Sequence, residues 1–391
     1  MRVPITRPLF GKEEAQAVAE VLESGWVVQG PRVAEFERLF GEYAKVQHAL
    51  ATTSCTTALH LALRVLSVQP GDEVVVPAYT FVASPNVVEQ MGAHPVFCDI
   101  DLATFNTTRE AMASAVSERT KALMPISLFG LQAPVHEIAE WAHARGLAVV
   151  EDAACAIGAW RGDRHAGTVG DIGCVSFHPR KAITTGEGGM LLTDNGEMAE
   201  KALALRNHGA VRTDLERHTT AGGFLLPDYP FAGFNYRMTD LQGAVGVVQM
   251  NRLRGILERR RELASLYDEE LRGLEWMQTP TYPAESLHGY QSYVCLFAPE
   301  PPSMENVEQL HKQRNRLMLD LEQKGIATRQ GTQAVHTTTY YRERYGLSPE
   351  DFPNSYIADR LSLALPLYPQ MTEAEMEYVV GSLKACGEAI L

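Results

Sequence analysis

The sequence predicts an α/β protein: a large domain with a mostly parallel sheet between helices, followed by a smaller α+β C-terminal domain. Short, β-rich apolar runs recur between helix-like segments, and they are continuously apolar rather than alternating. Strands of that kind belong to parallel sheets covered on both faces. Past residue 238 or so the style changes to a long helix of mixed charge. At 391 residues the chain is long for one core. Two domains are therefore expected, a larger one over residues 1–250 and a smaller one over residues 251–391.

The strand-like runs are EVVVPAY (73–79), HPVFCDI (94–100), KALMPISLFG (121–130), LAVVEDAA (147–154), DIGCVSFH (171–178) and GGMLLTD (188–194). Between several of them lie segments such as VHEIAEWAHARG, apolar at helical spacing and ended by Gly146. In sheets so wound, ligands bind beyond the carboxyl ends of the strands. Phe81, Asp152 and Ser176 all lie at or just past such ends. The long helix, roughly 238–272, carries charges of both signs and reads as a connector. After it come TPTYPAE, the strand-like SYVCLFA, a charged helix and GIATRQ, with EPPSMEN (300–306) the most loop-like stretch of that half.

A net charge of −13 argues against nucleic acid or an anionic membrane as partner, leaving room for a local basic pocket that takes a small anion. The six cysteines are scattered with no CxxC pair, so neither a metal site nor a disulfide framework is expected. Reduced thiols suit a cytoplasmic protein. The N-terminal MRVPITRPLFGKEE lacks the plan of a signal peptide, and no uninterrupted apolar stretch is long enough to span a bilayer.

SFHPRKAITTGEGG (176–189) places one lysine, Lys181, between an apolar strand and a run of Thr, Gly and Glu. Most loop lysines are solvated; a sheltered one can do covalent chemistry on a carbonyl cofactor. Asp152 ends the strand in VVEDAACAIG, where it could cap a helix or hold a pyridine nitrogen protonated. TTSCTTALHLAL (52–63) is a Ser/Thr-rich turn running into an apolar helix. Ser54, Cys55 and Thr56 there suit simple capping or a bound phosphate, and the two uses are compatible. Phe81, in VPAYTFVAS, could stack on a planar ring or belong to the core. Ser176 offers another hydroxyl near Lys181.

From about residue 5 to residue 383 these pieces, in order, resemble the DegT-type sugar aminotransferases, pyridoxal 5′-phosphate (PLP) enzymes of aspartate-aminotransferase fold (fold type I). The matching stretches also include SGWVVQGPRVAEFERLF, GAHPVFCDID, LRNHG, GFNYRMTDLQGAVGVVQ and LPLYPQMTEAE. The resemblance implies that Lys181 bonds the cofactor covalently and later carries the proton between substrate and cofactor. It implies Asp152 on the ring nitrogen, Phe81 on the ring face, and Thr56, Ser176 and the backbone at Cys55 on the phosphate. Asn235 would reach the phosphate in a neighbouring subunit, making the active unit a homodimer with shared sites. By the same resemblance Cys155 would stand near the cofactor's phenolic oxygen, where many relatives carry Gln or His. Relatives usually have Gly in place of Cys55 and His in place of Ser127.

The reaction so implied takes an amino group from L-glutamate and passes it to a nucleotide-linked keto-sugar. ITTGEGGM with NYRMTDLQ resembles perosamine-type synthases, which points to a 4-keto-6-deoxyhexose. A 3-keto sugar or keto-cyclitol acceptor is an alternative, as is a non-catalytic PLP-binding regulator, which the intact Lys181–Asp152 pair disfavours. Desolvation and a cationic cofactor are both expected to push the Lys181 pKa down. Arg180, Arg212, Arg237 and Arg329 are candidates for binding the diphosphate.

Overall fold

Seven strands build the central sheet of the computed structural model, which describes residues 1–211 and 227–391. They are β1 (His48–Thr52), β2 (Glu73–Pro77), β3 (His94–Cys98), β4 (Thr120–Leu123), β5 (Ala148–Asp152), β6 (Ile172–Ser176) and β7 (Gly189–Thr193). Their order across the sheet is β1-β7-β6-β5-β4-β2-β3. The pairings β2–β3, β2–β4, β4–β5 and β5–β6 are parallel. β7 runs antiparallel to both β1 and β6. The reason is the connection: residues 177–188 return from β6 without a helix, and a parallel neighbour needs a crossover. That return carries Lys181.

The helices among the described residues are α1 (Lys12–Ser24), α2 (Pro31–Ala44), α3 (Cys55–Val65), α4 (Ala83–Gln90), α5 (Arg109–Ser114), α6 (Val135–His143), α7 (Gly196–Arg206), α8 (Asp240–Glu270), α9 (Val307–Gln323), α10 (Thr339–Tyr345), α11 (Pro353–Leu361) and α12 (Glu373–Glu388). Side chains alternate along a strand, so each strand feeds two layers. Val74 and Val76 of β2 pack with α3 and α4 through Leu59, Ala62, Val87 and Val88. Val75, between them, joins Met112 of α5 and Ile138 of α6 on the other face. Further along that second face, Met190 and Leu192 of β7 meet Phe36 of α2 and Val247 of α8. Burial on both sides explains why β2, β6 and β7 are buried at every position.

A second antiparallel sheet, β8 (Met277–Gln278), β9 (Tyr293–Phe297) and β10 (Ser362–Leu365), stands in that order towards the C terminus. β9 sends Val294 and Leu296 into the main core, while Tyr293, Cys295 and Phe297 enter a separate apolar cluster. Helix α8 spans the two bodies of packing. Its Leu253, Ile256 and Leu257 pack with α2, and its Leu263, Ala264 and Tyr267 belong to the second cluster. Among the described residues no helix is long and apolar enough to cross a membrane.

Candidate active site

Two adjacent carboxylates on β5 are sorted by the strand's alternation. Glu151 turns one way and accepts hydrogen bonds from the backbone of Gly167, Val169 and Gly170, which ties down a loop. Asp152, the last residue of the strand, turns the other way into a cavity of about 870 Å³. Its Oδ2 accepts from Ser84 Oγ at 2.7 Å and its Oδ1 from the Ala154 amide at 3.0 Å. Burial pushes its pKa up; the bonds from Ser84 and Ala154 and the charge of Lys181 pull it down, and burial prevails. Such a carboxylate is a strong acceptor for a protonated ring nitrogen.

Lys181 is held by the return between β6 and β7. Its amide donates to His178 O at 2.8 Å, and Thr185 N donates to Phe177 O at 3.0 Å. Thr184 Oγ1 donates to Phe177 O and Thr185 Oγ1 to Glu187 O, so the paired threonines fasten the loop to itself. Lys181 Nζ then lies 2.9 Å from Cys155 Sγ. Burial lowers the lysine's pKa, but Cys155, Cys55 and Asp152 raise it further, and the net direction is up. The desolvation half of the sequence expectation acts downward; the cationic cofactor, its other half, is no part of this balance. Desolvation was foreseen; the thiol at hydrogen-bond distance, which steadies the ammonium, was not.

Helix α3 begins at the same cavity. Ser54 is its N-cap, accepting from Thr57 N at 3.2 Å, with Thr57 Oγ1 closing the reciprocal bond to Ser54 N. The first amides of a helix have no intrahelical acceptor, so those of Cys55 and Thr56 are free for an anion. β7 lies against this end so closely that a Cβ on Gly189 would stand 2.4 Å from Cys55 N. Burial raises the pKa of the Cys55 thiol well above its ordinary value.

Cys55, Thr56, Phe81, Asp152, Cys155, Ser176 and Lys181 all line this one cavity. Phe81 is 63% exposed, its ring bare on the wall. An amine, a buried carboxylate, free helix amides with nearby hydroxyls and a bare aromatic face form a donor set that fits pyridoxal phosphate. Asn235 is elsewhere: it is exposed, and its backbone bridges to Asn207. Of the four arginines, Arg180 and Arg329 reach the cavity. Arg237 instead donates to Asn207 Oδ1 at 2.7 Å, and Arg212 lies outside the described residues.

Over residues 8–384 the sequence matches the DegT/DnrJ/EryC1/StrS aminotransferase family. The chain belongs to that family. A spore coat polysaccharide biosynthesis protein of Bacillus subtilis is 35% identical over 98% of this chain and 96% of its own. An uncharacterised protein of Methanocaldococcus jannaschii is 37% identical, over 98% of this chain and 97% of its own. The structure of an aminotransferase from Streptoalloteichus hindustanus matches at a TM-score of 0.89 with 31% identity, covering 99% of both chains. A Streptococcus pneumoniae protein assigned as a sugar aminotransferase, solved in a PLP form, matches at 0.90 with 27% identity over 100% of both. This aminotransferase is accordingly PLP-dependent, and its substrates are a sugar and an amino donor.

The sequence reading of the aminotransferase passed over Ser84. It appears in VPAYTFVAS as one more small residue, yet on α4 it is buried and bonded to Asp152 at the end of β5. No local pattern marks it, because its partner is far along the chain. Arg180 and Arg329 were named only within an unranked group, and their shared cavity separates them from the rest.

Proposed function

We propose that this sugar aminotransferase moves the amino group of L-glutamate to a nucleotide-linked keto-sugar, a 4-keto-6-deoxyhexose. The observation that carries the reading is the convergence of Lys181, Asp152, Phe81 and the α3 N terminus on one cavity. When bound, the cofactor supplies an electron-withdrawing ring that acidifies the carbon bearing the substrate's nitrogen. Lys181 would hold the cofactor and, through Nζ, would carry the proton on and off that carbon. Asp152, braced by Ser84 and Ala154, would keep the ring nitrogen protonated. Thr56, Ser176 and the amides of Cys55 and Thr56 would hold the phosphate, and Phe81 would cover the ring face.

The named role of the Bacillus subtilis relative, in spore coat polysaccharide biosynthesis, supports an amino sugar destined for a polysaccharide. The free thiols of all six cysteines suit work in the cytoplasm. The exposed Asn235, standing off its own chain's cavity, is consistent with service to a second copy in a homodimer with shared sites. A panel of nucleotide-linked keto-sugars, each offered with L-glutamate and followed by 2-oxoglutarate release, tests the reading. A 4-keto-6-deoxyhexose is expected to be aminated. Turnover confined to 3-keto sugars or keto-cyclitols would overturn it.

A further inference from the structure

Two guanidinium groups at the cavity are paired with no carboxylate among the described residues, though Asp152 and Glu187 share the lining. Arg180 and Arg329 both line it and both are exposed. Among the described residues neither forms an ion pair, whereas Arg161, by contrast, is bracketed by Glu137 and Glu285. Their backbones are nonetheless fixed. Gln291 Nε2 donates to Arg180 O at 2.9 Å. Arg329 exchanges two backbone bonds with Ala364 of β10, at 3.2 and 2.7 Å. The side chains therefore project from anchored positions with their donors unused.

The two groups are also near enough to feel each other. Burial first, and the charge of Arg329 second, disfavour the cation on Arg180. A like-charge pair costs free energy in the empty cavity and is relieved when an anion enters between the two. In a chain of net charge −13, leaving these cations unneutralised makes sense if a substrate brings the counter-charge. Arginine's planar fork matches carboxylate and phosphate oxygens alike. The α3 N terminus would give the cofactor's own phosphate a separate place, and Lys181 Nζ is engaged with Cys155.

We propose that Arg180 and Arg329 together form the oxyanion subsite of the substrate cavity, holding a carboxylate of the amino donor or a phosphate of the acceptor. The proposal rests on the aminotransferase reading above for the identity of those substrates, but the binding of an oxyanion can be tested apart from it.

The test uses the PLP-loaded enzyme and three probes: L-glutamate, followed by loss of the visible cofactor band, and unreactive glutarate and inorganic pyrophosphate as competitors. Arg180→Gln and Arg329→Gln are compared with Arg316→Gln, whose side chain pairs with Asp320 on α9. Each cavity variant is expected to keep the visible band and to bind at least one competitor about tenfold more weakly or worse, with Arg316→Gln unchanged. Weakening of glutarate alone assigns the site to the donor's carboxylate; weakening of pyrophosphate alone assigns it to the acceptor's phosphate. If a glutamine variant fails to fold, Arg180→Lys and Arg329→Lys keep the charge, and wild-type affinity for both competitors must still fall as salt rises. Unchanged affinity for both competitors in both cavity variants would overturn the subsite. Should L-glutamate leave the visible band intact while competitor binding still depends on the arginines, the donor assignment fails and the subsite stands.

Discussion

Asp152 and Lys181 are coupled through what surrounds them. Asp152 is buried, and Ser84 and Ala154 satisfy one oxygen each. Asp152→Asn keeps the shape and removes the charge, so the fold is expected to survive while turnover falls by orders of magnitude; near-normal turnover would make Asp152 structural. Cys155 acts on the other partner. After burial, which lowers the lysine's pKa, the thiol is the largest influence and raises it. Cys155→Ala should therefore lower the Lys181 pKa in the cofactor-free protein, leaving more neutral amine at pH 7. The pH profile for regaining the visible band on adding PLP should move to lower pH; an unmoved profile would discount the thiol. Lys181 and Asp152 were legible in the sequence because each sits in a distinctive local run at a strand end. Ser84 and the Cys155–Lys181 contact were not, since both arise from residues that only folding brings together.

The return strand β7 decides how the proposed phosphate cradle is built. Because β7 runs antiparallel between β1 and β6, its first residue, Gly189, lies under the N terminus of α3. Gly189→Ala would press a methyl into backbone that cannot move aside. A loss of about 1–3 kcal/mol is expected, with faster loss of cofactor on dialysis. Gly255, exposed on α8 with nothing near its would-be Cβ, provides the contrast. Gly255→Ala should stabilise by up to about 1 kcal/mol, and urea titrations of the two variants should move in opposite directions. The sequence revealed most strands of the main sheet because they are continuously apolar. It did not reveal β1, whose HALAT is short and reads like the end of a helix, nor the antiparallel sense of β7. Direction depends on the connection, and GEGG says loop without saying where the chain turns back.

We propose that the chain divides into a cofactor-binding unit over residues 1–250 and a smaller unit over residues 251–391, joined through α8, and that two such chains complete each other's sites. The second idea turns on Asn235. Its position off the cavity gives it no evident task in its own chain's site, and within GFNYRMTD it is a polar residue shortly before α8. If Asn235 serves the neighbour's phosphate, each site takes Lys181 from one chain and Asn235 from the other. Lys181→Ala and Asn235→Ala homodimers should then both be poorly active. In a mixed dimer one site collects both defects and the other neither. Subunit exchange between the two variants should restore activity, to at most about half that of wild type within the heterodimer if sites act independently. Were Asn235 only a structural residue of its own chain, every site in the mixture would keep one defect and no intact site could form. Exchange verified by mass spectrometry without recovery of activity would therefore remove Asn235 from the cofactor site and the shared-site dimer with it.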